Sequence, residues 1–200
     1  MARNIFRGLG IALVTPFTSD GQVDYKSLKR LVEYQIDNGA DFLCILATTG
    51  ETPCLTQDEK DKITQLVKDV NHGRLPILKG CGGNNTAAVV EELRTADWSG
   101  IDGILSVCPY YNKPSQEGLY QHFKAIAEAS PLPVVLYNVP GRTGINLKPE
   151  TTVRLANDCE NIVAVKEASG SLEQVDEIIK NKPQRFDVLS GDDALTFSMV

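Results

Sequence analysis

Apolar, β-rich runs return along this chain at nearly even intervals, and most are followed by a segment of helical periodicity. The runs are GIALVTPF from residue 10, DFLCILATTGE from 41, LPILKGCGG from 75 and IDGILSVCPYY from 101. LPVVLYNVPG from 132, NIVAVKEAS from 161 and FDVLSGDD from 186 complete the series. Successive starts lie 25 to 34 residues apart, room for one strand, one helix and their turns. Leu28, Leu31, Val32 and Ile36 form one helical stripe, closed by Asn38-Gly39. Ile63, Leu66, Val67 and Val70 form a second, opened by the capping box Thr56-x-x-Glu59. Leu119, Phe123, Ile126 and Ala127 form a third, and Leu172, Val175, Ile178 and Ile179 a fourth. Strand and helix in alternation require crossover connections and a parallel sheet covered on both faces.

Two α/β architectures satisfy that pattern, an open doubly wound sheet and a closed (β/α)8 TIM barrel. The strand ends separate them. Six of the runs finish in polar clusters: TTGE, CGGNNT, PYYN, YNVPGRTG, KEASG and SGDD. In a barrel all such ends face one ring, whereas in an open sheet only those near the strand-order reversal meet a ligand. No G-x-G-x-x-G follows the first strand and no G-x-x-x-x-G-K-[ST] occurs, which argues against a nucleotide-binding open sheet. The expectation is one barrel domain over residues 1–200 that carries seven of the eight strands, with the closing strand not in this chain.

Charge and cysteine usage narrow the function. Twenty Lys and Arg against 26 Asp and Glu leave a net charge of −6 with no basic stripe, so nucleic acid and anionic membranes are not expected partners. MARNIFRGLG lacks the long apolar core of a secretion signal, and no 18-residue apolar span follows. Five cysteines without a C-x-x-C pair, three of them in or beside apolar runs, suit the reducing cytoplasm. With only His72 and His122, both read in polar surroundings, a histidine metal site or a Ser-His-Asp triad has little to be built from.

Lys166 closes the apolar run NIVAVKEASG. An ordinary solvated strand end accounts for most such lysines. The alternative is a nucleophile: dehydration favours the neutral amine, which can attack a ketone and form a Schiff base. Tyr137 ends the preceding strand and could move protons, or it could be a core aromatic with a locally satisfied hydroxyl. Thr48-Thr49-Gly50-Glu51 reads as a carboxylate cradle or as a plain strand-to-helix turn. Tyr110-Tyr111 fits interface packing as well as a site. Arg142 in VPGRTG suits bidentate capture of a carboxylate, or is a surface loop arginine.

Taken together, ATTGE, PYYNKP, YNVPGRTG and VKEASG, in this order, resemble the dihydrodipicolinate synthase family. That family lies within the N-acetylneuraminate lyase superfamily of pyruvate-dependent class I aldolases. The resemblance runs from GLGIALVTPF to the end of the chain. It implies that Lys166 forms the Schiff base with pyruvate and that Tyr137 donates and accepts protons. Thr48 and Tyr111 match the proton relay, Tyr111 reaching in from a neighbouring subunit. Thr49 matches the contact to the pyruvate carboxylate. Arg142 matches the residue that holds the carboxylate of L-aspartate 4-semialdehyde. The implied reaction joins these two substrates into a cyclic precursor of diaminopimelate and lysine, with no metal or organic cofactor. The resemblance further implies a homotetramer and a C-terminal helical domain that this chain does not include.

Two positions depart from the family pattern. Ala47 stands where glycine often precedes Thr-Thr, and Ala88 replaces the glutamate of lysine-inhibited members, so feedback by L-lysine is expected to be weak or absent. Two other functions compete. A sugar-acid lyase of the superfamily would call for hydroxyl-bonding residues in place of Arg142. A silent pyruvate or lysine sensor would not need lysine, tyrosine and both threonines together.

Overall fold

Local signals set most of the element boundaries. The computed structural model describes residues 5–199. The first four residues of the segment read for a leader, and Val200 at the end of the domain read over 1–200, lie outside the described residues. The chain forms two compact units, one made of Ile5–Gly80 with Trp98–Asp102 and the other of Cys81–Asp97 with the chain from Gly103 onward.

The first unit holds β1 (Gly10–Ala12), α1 (Tyr25–Asp37), β2 (Phe42–Ile45), α2 (Gln57–Asn71) and β3 (Ile77–Gly80). Its strands pair in parallel, Ile11 beside Leu43 and Leu43 beside Ile77. Helix α1 starts where Asp24 accepts the Ser27 N–H at 2.9 Å and ends at Asn38, before Gly39 at φ 91°. Thr56 and Glu59 make both bonds of the expected capping box. Leu28 and Val32 of α1, and Ile63, Val67 and Val70 of α2, are buried. The returning segment Trp98–Asp102 completes this unit: Asp102 donates its N–H to the Ile77 carbonyl at 2.9 Å, and its Oδ2 accepts the Ile77 N–H at 2.8 Å.

The second unit runs α3 (Thr86–Thr95), β4 (Gly103–Val107), α4 (Gln116–Ala129), β5 (Val134–Asn138), α5 (Pro140–Thr143), α6 (Pro149–Asp158), β6 (Ile162–Glu167), α7 (Leu172–Asn181), β7 (Asp187–Ser190) and α8 (Thr196–Met199). β4 pairs with β5, β5 with β6 and β6 with β7, all parallel. All five β5 residues are buried, as a strand covered on both faces should be. Helix α4 buries Leu119, Phe123, Ile126 and Ala127 as its stripe requires. It meets α6 where Arg154 lies 3.5 Å from the Tyr120 ring centroid and the Tyr120 hydroxyl donates to Asp158 at 2.8 Å.

Four features differ from the sequence reading. VPGRTG is not all loop, because Pro140 opens one helical turn that ends at Gly144, φ 73°. Helix α6 has no clean apolar stripe, since Thr151 and Thr152 stand among its buried residues. Helix α7 buries Val175 and Ile178 but leaves Leu172 and Ile179 exposed, beside a groove they share with Ser198 and Met199. His122 is buried rather than set among polar groups: its Nδ1 lies 2.8 Å from the Thr86 hydroxyl, and burial pushes its pKa down to about 4.

Candidate active site

The strand register brings Lys166 and Tyr137 together. They are direct partners across the parallel pair β5–β6, and Lys166 Nζ lies 4.6 Å from the centroid of the Tyr137 ring. That is within cation–π range. Tyr137 is 6 % exposed, whereas Lys166 is half-buried near the end of an apolar strand. On the other side Lys166 pairs with Leu189, and beyond β7 comes Gly191, whose N–H donates to the Glu167 carbonyl at 2.8 Å. A Cβ at Gly191 would stand 2.9 Å from Lys166 Cε and 3.0 Å from its Cγ, so the absent side chain is what leaves room for the lysine stem.

Arg142 and Tyr111 belong to the same unit and sit on exposed segments. Arg142 lies in α5, and its guanidinium makes no hydrogen bond or ion pair among the described residues, which leaves its fork open to a carboxylate. Lys113 runs over this turn, since a Cβ at Gly144 would meet its Cε at 3.1 Å. Tyr111 is 88 % exposed and held at φ 74°, unusual for an aromatic residue. Asn84 Nδ2 donates to the Tyr110 carbonyl at 3.1 Å and Asn112 Nδ2 to the Asn84 carbonyl at 3.0 Å, fixing the loop that presents the tyrosine outward.

Thr48 and Thr49 lie in the other unit, in a single 3₁₀ turn, Thr48–Gly50, and both are exposed. The turn is flanked by Leu46 at φ 50° and Glu51 at φ 53°. Two hydroxyls brace it: Thr15 donates to the Gly50 carbonyl at 2.7 Å, and Thr52 to the Ala47 carbonyl at 3.0 Å. Ala88 is exposed in the first turn of α3, where its N–H donates to the capping Asn85 side chain at 3.2 Å.

Sequence reasoning missed the polar groups packed behind Lys166. Asn138 and Glu167, the next pair along the same register, are 0 % and 1 % exposed. Asn138 Nδ2 donates to both Glu167 oxygens, at 3.1 and 3.2 Å. Beside them burial raises the Cys108 thiol pKa, and the Glu167 charge raises it further. The signal was present in the letters, as Asn138 and Glu167 each end an apolar run where an aliphatic residue would pack at lower cost. Gly191 and Thr15 carried no signal of their own. Among the described residues no group of three His, Cys, Asp or Glu is placed to hold a metal ion, and no helix is long and apolar enough to cross a membrane.

A lysine over a tyrosine ring at the ends of adjacent parallel strands sets an amine able to attack a ketone beside a hydroxyl able to carry protons. Residues 5–200 match the Dihydrodipicolinate synthetase family, and the chain belongs to it. It is 60 % identical over 200 residues to the 4-hydroxy-tetrahydrodipicolinate synthase of Phocaeicola vulgatus, covering 100 % of this chain and 67 % of that one. It is similar to the crystal structure of dihydrodipicolinate synthase from Thermotoga maritima, with TM-score 0.94, 44 % identity and coverage of 98 % and 67 % of the two chains. It is similar also to the chloride-inhibited enzyme from Acinetobacter baumannii complexed with pyruvate, with TM-score 0.93, 44 % identity and the same coverage. The chain thus spans about two thirds of the length of the relatives it matches. The fold is the α/β barrel fold of these structures, represented here by seven parallel strands.

Proposed function

We propose that the protein condenses pyruvate with L-aspartate 4-semialdehyde to give 4-hydroxy-tetrahydrodipicolinate, on the route to diaminopimelate and L-lysine. The observation that carries this is Lys166 Nζ lying 4.6 Å from the Tyr137 ring centroid on the neighbouring strand. The names of the relatives support it, as does the pyruvate carried by the Acinetobacter baumannii enzyme.

The neutral amine of Lys166 adds to the pyruvate ketone, and loss of water gives an iminium. Loss of a methyl proton converts the iminium into an enamine, whose carbon attacks the aldehyde of the second substrate. The amino group of that substrate then closes on the iminium carbon and releases Lys166. Tyr137 moves the protons of the first steps, with Thr48 and Tyr111 as its relay and Tyr111 coming from a neighbouring subunit of a homotetramer. Thr49 binds the pyruvate carboxylate, and the open guanidinium of Arg142 binds that of the semialdehyde. The reaction uses no metal or organic cofactor, residues 1–200 belong to one barrel domain, and the protein works in the cytoplasm.

The test is reductive trapping. Pyruvate with borohydride should add one reduced pyruvate at Lys166, read by peptide mass spectrometry, and Lys166→Ala should lose it. A wild-type protein that traps nothing, or traps at another lysine, overturns the reading. Turnover with L-aspartate 4-semialdehyde then separates this condensation from a lyase acting on sugar acids.

A further inference from the structure

Glu167 shares a peptide bond with Lys166 and, because neighbouring strand residues alternate faces, its side chain goes the other way. It is 1 % exposed. Its acceptor sites meet only neutral donors among the described residues. Ser169 N–H donates to Oε1 at 2.8 Å, Gln174 Nε2 to Oε2 at 3.2 Å, and Asn138 Nδ2 to both. A buried carboxylate costs several kcal/mol of lost hydration, and an aliphatic side chain would fill the space without that cost. What the carboxylate adds is orientation. By accepting from the NH₂ groups of Asn138 and Gln174, it directs both amide oxygens elsewhere.

Those oxygens point to the segment after β5. Asn138 Oδ1 accepts the Leu147 N–H at 2.9 Å, and Gln174 Oε1 accepts from Asn146 Nδ2 at 2.7 Å. Asn138 Nδ2 also reaches Asn146 Oδ1 at 2.8 Å. Were either amide turned over, NH₂ would face a donor on this segment. Asn146 and Leu147 close the stretch that begins at Val139 and carries Arg142.

We infer that Glu167 is a positioning residue for the second substrate: through Asn138 and Gln174 it holds the Arg142 segment in register with Lys166. This rests on the condensation proposed above. The carboxylate lies on the face of β6 away from Lys166, and the parallel pairing of β6 holds Lys166 without it.

The test uses the intact protein, with pyruvate trapping by the wild type as the first measurement. A wild type that does not trap pyruvate overturns both the proposed reaction and this inference. Given trapping, Glu167→Gln, which puts an NH₂ among donors, should raise KM for L-aspartate 4-semialdehyde about tenfold. KM for pyruvate should stay within about twofold, with the Lys166 adduct still formed. Adding Gln174→Glu returns an acceptor to the cluster and should recover most of the lost affinity. If Glu167→Gln does not fold, Gln174→Leu, which keeps the carboxylate but removes one of its donors together with the grip on Asn146, should raise the same KM about threefold. An unchanged KM for the semialdehyde, an equal rise for both substrates, or a double variant no better than Glu167→Gln overturns the inference.

Discussion

Strands β5 and β7 flank the same strand, β6, and are built on different terms. Every residue of β5 is buried, and its last two, Tyr137 and Asn138, face Lys166 and Glu167 with a ring and an amide. Every residue of β7 is only half-buried, and the same two β6 positions meet Leu189 and Ser190, followed by a glycine. The lysine thus has a packed, hydrogen-bonded neighbour on one side and, on the other, a neighbour followed by a glycine that leaves room for its stem. Gly191 beyond β7, rather than the strand itself, is what leaves space for the lysine stem.

Four substitutions can break or sharpen this contrast. The largest effect is expected on the packed side, where Tyr137→Phe keeps the ring and removes the hydroxyl proposed to carry protons. It should lower kcat roughly 10²- to 10⁴-fold with little change in melting temperature, in steady-state assays. A loss below tenfold would reduce Tyr137 to packing. On the open side, Gly191→Ala places a methyl group against the lysine stem, and the rate of pyruvate trapping should fall about tenfold. An unchanged rate would mean that the stem has room to move aside. The smallest effect compares the strands themselves in urea unfolding. Val135→Ala in β5 should cost about 2 kcal/mol, and Val188→Ala in β7 under about 1 kcal/mol. Equal costs would erase the distinction.

The alternation of strand and helix was legible because each element repeats one period long enough to be read. Helix α6 escaped because two of its buried residues are threonines, whose methyl groups pack while their hydroxyls read as polar. Thr152 satisfies its hydroxyl on the Lys148 carbonyl at 3.1 Å, so a polar letter sits inside without penalty. The one cue to its start was Pro149 at its first position. In the site, Lys166 and Tyr137 could be paired from sequence because each ends a strand and consecutive strands tend to be neighbours. The cluster behind them could not. Asn138 lies 29 residues from Glu167, and Asn146 lies 28 from Gln174. Only the parallel register and the path of the following segment make them neighbours. His122 was misplaced for a related reason: an imidazole buried against Thr86 and Phe123 looks, as a letter, like a surface group.

The return of Trp98–Asp102 to the first unit bears on how the chain is made. Its two units are threaded through one another along the sequence, so neither is finished when its first stretch leaves the ribosome. A break after Gly80 would remove Asp102, whose backbone and carboxylate together secure Ile77 at the start of β3. The division of this molecule in space is therefore not a place where it can be cut. Residue 102 must emerge before the earlier unit has all its parts, and by then the later unit has already begun.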